Sequence, residues 1–99
     1  MGGKAVEFHE AAALEYEAAF DWYLQRSEPA ASRFALELDR AIALIAESPQ
    51  RWPHDVHNSR RFLLRRFPFS IVYRELPSVI QVLAVAHGHR RPRYWKQRL

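Results

Sequence analysis

The stretch RRFLLRRFPFSIVYRELPSVIQVLAVAHGHRRPRYW, Arg60 to Trp95, decides the fold. It holds three short apolar runs with a period near two, followed by a basic and aromatic tail. Phe62-Leu63-Leu64 leads the first run, Phe69–Tyr73 makes the second and Val79–Ala86 the third. Phe67-Pro68 makes the first connection tight, and Glu75-Leu76-Pro77-Ser78 reads as the second turn. The three runs therefore form an antiparallel meander. Val79–Ala86 is the most apolar and is expected to be the central strand, buried on both faces. His87-Gly88-His89 ends it. Arg90–Arg98 then forms a short final helix or tail, with Pro92 in or before its first turn.

Charge divides at the same boundary. Arg60–Leu99 carries ten Lys and Arg residues against one acid, Glu75, whereas residues 1–59 carry five bases and ten acids. The parts carry +9 and −5, which sum to the net charge of +4. A chain so divided is expected to have its working face in the second part. Only Lys4 and Lys96 are lysines among the fifteen basic residues. Arginine binds phosphate and carboxylate through planar, bidentate contacts, so the bias suits an anionic partner; a GC-rich genome produces the same bias.

Upstream, Lys4–Phe8 is a short run suited to an edge strand. From Glu10 the period becomes helical, with Ala12, Tyr16, Ala19 and Tyr23 on one stripe and Phe20 beside it. Glu10, Glu17 and Asp21 lie opposite. Leu14 and Trp22 sit off the stripe, so this helix is expected to bury two faces. Ser27-Glu28-Pro29 is a serine cap with proline in the first turn of a second helix, which runs to about Glu47. Its stripe is Ala31, Phe34, Leu38, Ala41 and Ile45, with Ile42 alongside. Ser48-Pro49 ends it, and Gln50–Ser59 is a polar loop. Two amphipathic helices so closely joined make an antiparallel hairpin. The fold class is α+β: an N-terminal strand and a two-helix hairpin packed on one face of a meander sheet. The other face is left to basic side chains and the tail.

Ninety-nine residues, 48% hydrophobic and 13% aromatic, are enough for one domain spanning 1–99 with its own core. The absence of cysteine excludes disulfides and thiolate metal sites, and fits a reducing cytoplasm. No apolar run reaches the length of a membrane span, and MGGKAVEF lacks the apolar core of a signal peptide. His54, His57, His87 and His89 would hold zinc or nickel only if the loop folded onto the strand end. Without thiolates or a helix-spaced pair, no metal and no cofactor are expected.

The ordered set AFDWYLQRS, then RF, EL and AIALI along the second helix, the exit SPQRWP, RRFLLRRFPFSIVYR and VIQVLAVAHGHRRPRYWKQR resembles the RelE/ParE superfamily of bacterial toxins. The resemblance runs from about Val6 to Arg98. It implies the toxin of a type II toxin–antitoxin module, of the plasmid-stabilisation kind, which arrests growth and is neutralised by a small antitoxin in a hetero-oligomer. It implies two alternative targets. ParE-like members bind and inhibit DNA gyrase; RelE-like members cut mRNA on the ribosome. The fold cannot choose between them. A third possibility is a non-toxic member that acts with its antitoxin only in transcriptional autoregulation.

Metal-free RNA cleavage needs a base for the 2′-hydroxyl, an acid for the leaving 5′-oxygen and cations for the phosphate. The RelE-like reading would use Arg66, Arg74, His87, Arg90 and Tyr94: arginines on phosphate, His87 or Tyr94 moving protons. Arg65 and Arg66 are expected on opposite sheet faces by alternation, so at most one meets a substrate. Lysines that RelE-like nucleases place beside the scissile phosphate are missing from the meander, and arginine is a poor proton donor. That departure favours the ParE-like reading. Arg60, Arg61, Arg65, Arg91, Arg93, Trp95 and Arg98 are then the residues for target or antitoxin, with Tyr94 and Trp95 packing the tail on the sheet. The excess positive charge would also bind nucleic acid non-specifically.

Overall fold

The computed structural model describes residues 4–99. In chain order it has β1 (Ala5–Phe8), α1 (Glu10–Leu24), α2 (Glu28–Glu47), β2 (Ser59–Leu63), β3 (Phe69–Glu75), β4 (Val79–His87) and a 3₁₀ turn at Lys96–Arg98. The α+β architecture read from the sequence is the one observed. Both helices start on capping side chains. The His9 ring Nδ1 accepts from the Ala11 N–H at 3.0 Å, and Ser27 Oγ accepts from the Ala30 N–H at 3.2 Å. The His9 backbone N–H also donates to the Val82 carbonyl at 2.8 Å, which seats the start of α1 on β4.

The α2 stripe is buried as its spacing requires: Ala31, Phe34, Leu38, Ala41 and Ile45 all lie in the core. On α1 only Ala12 and Ala19 are fully buried, with Tyr16, Phe20 and Tyr23 packed part-buried beside them. Leu14 and Trp22 are 59% and 52% exposed, so α1 buries one face, not two. The reason is its place in the layer. α1 packs on α2, β4 and β1, and its outer side faces solvent.

The sheet order is β1-β4-β3-β2. The β2–β3–β4 meander is antiparallel, and β1 joins the edge parallel to β4, from Ala5↔Val79 to Phe8↔Val82, so the whole sheet is mixed. The pairing of β3 with β4 runs Val72↔Ala84 and then Tyr73↔Val82, which leaves Leu83 as an extra residue in a β-bulge. Unbroken alternation would keep Ile80, Val82, Ala84 and Ala86 on one face. The bulge instead puts Ile80, Val82 and Val85 against the helices. Leu83 and Ala84 turn to the opposite face, where Val72 and Trp95 join them in a second small core.

Arg65 and Arg66 are not on strands. They lie in the connection where the Leu64 N–H already returns to the Phe69 carbonyl, and both their backbone N–H groups donate to Glu37 Oε2 of α2. The expected alternation of these two residues therefore does not apply.

Trp95 is 1% exposed and Leu14 is mostly in solvent. Trp95→Ala should cost about 3–5 kcal/mol, enough to threaten folding of so small a domain, whereas Leu14→Ala should change stability by less than about 0.5 kcal/mol. Urea denaturation of the two variants measures both.

Candidate functional site

β1 stops pairing at Val82, but β4 continues to His87. Among the described residues, that edge of β4 has no neighbouring strand beyond Val82. Glu15, from α1, accepts from the Val85 N–H at 3.0 Å, and the Arg98 guanidinium donates to the Leu83 carbonyl at 2.9 Å. The two side chains meet in a bidentate pair of 3.0 and 2.9 Å, and the Tyr94 hydroxyl donates to Glu15 Oε2 at 2.8 Å. Burial by itself pushes the Glu15 carboxyl up. The hydrogen bonds from Arg98, Tyr94 and Val85 outweigh it, so Glu15 stays below its ordinary value and ionised. Burial, then the Glu15 carboxylate, pushes the Tyr94 phenol far above its usual range.

This cluster fixes the tail, and with it much of the expected site. Trp95 is a core residue, Arg98 is committed to Glu15, and Tyr94 holds its proton against a carboxylate. Arg90 is exposed and stacks over the Tyr94 ring at 3.8 Å. At the end of β4 the His87 ring stands edge-on to Phe69, 5.0 Å between centroids, and its Nδ1 accepts from the His89 N–H at 3.0 Å. In the neutral ring the proton therefore sits on Nε2. His87, Arg90 and Tyr94 thus come together. His87 and Arg90 rim a cleft of about 420 Å³ whose walls include Trp22, Tyr23, Phe69 and Val85.

Arg74 and Arg66 do not join them. Arg74 pairs with Gln81 across the sheet and donates to its side chain at 2.9 Å, while His87 pairs with Phe69. The six residue steps of β4 from Gln81 to His87 span roughly 20 Å at the usual strand rise. Arg66 lies instead on a groove between α2 and the β2–β3 connection.

The remaining arginines divide among three places. Arg60 donates to the Trp52 carbonyl at 2.7 Å. Arg61 and Arg93 share Asp55 at 3.5 and 3.1 Å, and Arg91 is exposed beside them. Arg65 and Arg66, with Arg33 and Arg40 from α2, flank a groove of about 280 Å³ floored by Leu36, Ala41, Leu44 and Phe62.

Two sets of residues escaped the sequence reading, and each had a signal. Glu15 is three residues after Ala12 and four before Ala19, so it lies on the buried stripe of α1. Arg33, Leu36, Arg40 and Leu44 follow a helical period on the outer side of α2 but sit in the acidic part of the chain. Among the described residues, no three His, Asp or Glu side chains gather as a metal site. Nor, among them, is any helix long and apolar enough to cross a membrane.

A family model described as the ParE toxin of the type II toxin–antitoxin system parDE matches residues 6–92. Solved structures share the fold at low sequence identity. A chain of the chromosomal ParDE toxin–antitoxin system from P. aeruginosa is 22% identical with a TM-score of 0.74, covering 85% of this chain and 95% of that one. The isolated E. coli RelE toxin is 17% identical with a TM-score of 0.61, covering 95% and 94%. A chain of the RelBE2 toxin–antitoxin complex from Mycobacterium tuberculosis is 16% identical with a TM-score of 0.55, covering 86% and 98%. No curated protein sequence matches the chain significantly.

Because the folded Glu15 carboxyl sits below its ordinary value of 4.5, the unfolded chain takes up that proton first as the pH falls. The stabilisation is present above about pH 4.5 and is lost as the pH drops through the lower folded value. Glu15→Gln should cost about 2 kcal/mol at neutral pH, since it leaves Arg98 part-buried without its counter-ion. It should also flatten the acid limb of stability. Urea denaturation at a series of pH values from 7 to 3 reads both effects.

Proposed function

The chain belongs to the ParE toxin family of type II toxin–antitoxin systems, and from that premise we propose that it inhibits DNA gyrase by binding and does not cleave RNA. The observation that carries this reading is that two of the arginines a ribonuclease would use, Arg66 and Arg74, lie apart from the group formed by His87, Arg90 and Tyr94. Cleavage requires a base, an acid and cations around one phosphate. Here His87 is the one imidazole of the five. Tyr94 is held protonated by burial and by Glu15. Arg74 is roughly 20 Å along the strand from His87, at six residues of ordinary rise, and Arg66 faces the α2 groove. This separation supports a toxin that acts through its surface.

We further propose that a cognate antitoxin docks an acidic amphipathic segment along α2. The groove there has an apolar floor and four flanking arginines, Arg33, Arg40, Arg65 and Arg66. Apolar anchors at helical spacing suit such a floor, and acidic side chains suit such a rim. The ParDE and RelBE2 structures that share the fold are of toxin–antitoxin systems, which agrees with an antitoxin partner.

Pulse labelling after induction without antitoxin tests the target: DNA synthesis should stop while translation continues, and purified protein should inhibit supercoiling by gyrase. Arg74→Ala with His87→Ala should stay toxic. Immediate arrest of translation, or loss of toxicity in the folded double mutant, overturns the gyrase reading; absence of any toxicity leaves the autoregulatory role. Leu36→Glu with Leu44→Glu should weaken antitoxin binding at least 100-fold, measured by calorimetry, without unfolding the chain, because both leucines are exposed.

A further inference from the structure

We propose that the cleft between the second half of α1 and the far ends of β3 and β4 is a binding site for a small aromatic carboxylate. The cleft has a volume of about 420 Å³, and Trp22, Tyr23, Phe69, Val85, His87 and Arg90 shape it. Small-molecule sites usually span about 300–1,000 Å³ and combine apolar walls with a few well-placed polar groups. The cleft follows from the unequal strands. β1 stops pairing at Val82, β4 runs on to His87, and α1 packs against β4 beside the uncovered end.

The first observation is the aromatic wall. Trp22 is half-exposed, yet it is held in place. The Arg26 guanidinium stacks over its ring at 3.7 Å and donates to its backbone carbonyl at 2.9 Å. Tyr23 meets the indole edge-on, 5.1 Å between centroids. On the sheet side the Phe69 and His87 rings stand perpendicular at 5.0 Å. Aromatic pairs prefer offset or edge-to-face contact, so these four rings offer stacking surfaces to a flat guest. Their mutual contacts fix them before a ligand arrives, which lowers the ordering cost of binding.

The second observation is the pair of donors at the rim. Arg90 lines the cleft and stacks over Tyr94, and among the described residues its guanidinium has no acidic partner. The His87 Nδ1 accepts from the His89 N–H at 3.0 Å, so the donor left to that ring is Nε2–H. A guanidinium and an imidazole N–H beside apolar walls suit one carboxylate on a flat apolar body.

The third observation concerns Glu15, the acid that lines the cleft. It does not oppose an incoming carboxylate, because both its oxygens are already taken by Arg98, and by Tyr94 and the Val85 N–H. The Arg98 charge cancels that of Glu15, which leaves the Arg90 charge in excess.

A crevice between helix and sheet accounts for the volume, and aliphatic walls would make one equally well. It does not account for a half-exposed tryptophan held by an arginine, nor for an unpaired guanidinium beside four rings. The cleft uses different side chains from the α2 groove, and it is tested on the isolated chain, so the proposal stands apart from the gyrase reading.

The test is a titration of the full chain, followed by amide chemical shifts, at constant ionic strength and neutral pH. Three probes share one ring system: indole-3-acetate, neutral indole-3-acetamide and cationic tryptamine. Indole-3-acetate should give saturable shifts at Ala18, Trp22, Phe69 and His87. It should bind about fivefold more tightly than the amide, with tryptamine weakest. Arg90→Gln should remove that preference, weakening the acetate about fivefold and leaving the amide unchanged. Trp22→Ala should weaken both about tenfold. Both side chains are exposed, so neither variant should move the thermal midpoint. Equal affinity for the three probes marks an unselective apolar surface of the kind a polypeptide covers, and overturns the proposal. Shifts at the same amides on raising the protein concentration alone mean that a second copy fills the cleft, and overturn it too. So does the absence of saturable shifts with indole-3-acetate, or binding unaltered in both variants.

Discussion

The structure depends on how the exposed edge of β4 is closed. β4 has nine residues and its neighbour β1 has four. A β4 left bare beyond Val82 would present unpaired N–H and C=O groups, each costly if buried and each a template for aggregation if not. Glu15 and Arg98 close that edge with side chains, one accepting from Val85 and the other donating to Leu83. The same pair ties α1 to the C-terminus. Once Arg98 is anchored, Trp95 is carried over the second sheet face and buries Val72, Leu83 and Ala84 with it. Edge, tail and second core are therefore one cooperative unit, and loss of the carboxylate would loosen all three.

The bulge at Leu83 decides which chemistry each face can offer. By shifting the phase of β4 it turns His87 toward the helices and leaves the tail side with Ser70, Ala84 and Ala86 between β2 and the tail. The arginines that composition assigns to one basic face are consequently split. Arg98 neutralises Glu15, Arg61 and Arg93 share Asp55, Arg74 bonds Gln81, and Arg65 and Arg66 border α2. The long-range field still favours acidic partners, since it depends on net charge. The short-range roles differ, because each guanidinium meets a different local partner.

The elements were legible because their signals are local. The α2 stripe, the Ser27 cap, the short strands and their turns all follow from spacing and turn chemistry within a few residues. Burial of Trp95 was also legible, since an aromatic tail after a two-sided strand needs a face to cover. What was not legible is long-range. The run VIQVLAVAH has neither Gly nor Pro to mark a bulge at Leu83. The parallel pairing of β1 with β4 joins residues more than seventy apart. Glu15 looks like one more helix acid until Arg98 and Tyr94 arrive from the far end of the chain. Arg65 and Arg66 read as strand residues, but the chain has already turned when it reaches them.

The helix-side groove and the tail-side hollow differ in the forces they can use. The groove offers Leu36, Leu44 and Phe62, and burying such side chains yields affinity roughly in proportion to area. The hollow, about 120 Å³ between β2 and the tail turn, sets Arg61, Arg90, Arg91 and Arg93 beside Ser70, Ala86, Pro92 and Trp95, so cationic groups rather than large aliphatic side chains set its character. Glu37 sharpens the contrast. An acid between Arg33, Arg40, Arg65 and Arg66 would ordinarily neutralise part of the rim. Its carboxylate instead accepts from the backbone N–H groups of Arg65 and Arg66. The β2–β3 connection is thereby fixed while, among the described residues, the guanidinium groups of both arginines remain without an acidic partner. An acidic segment arriving at the groove meets arginines whose positions are set but whose charges are unspent, a preorganised rim that lowers the entropic cost of binding.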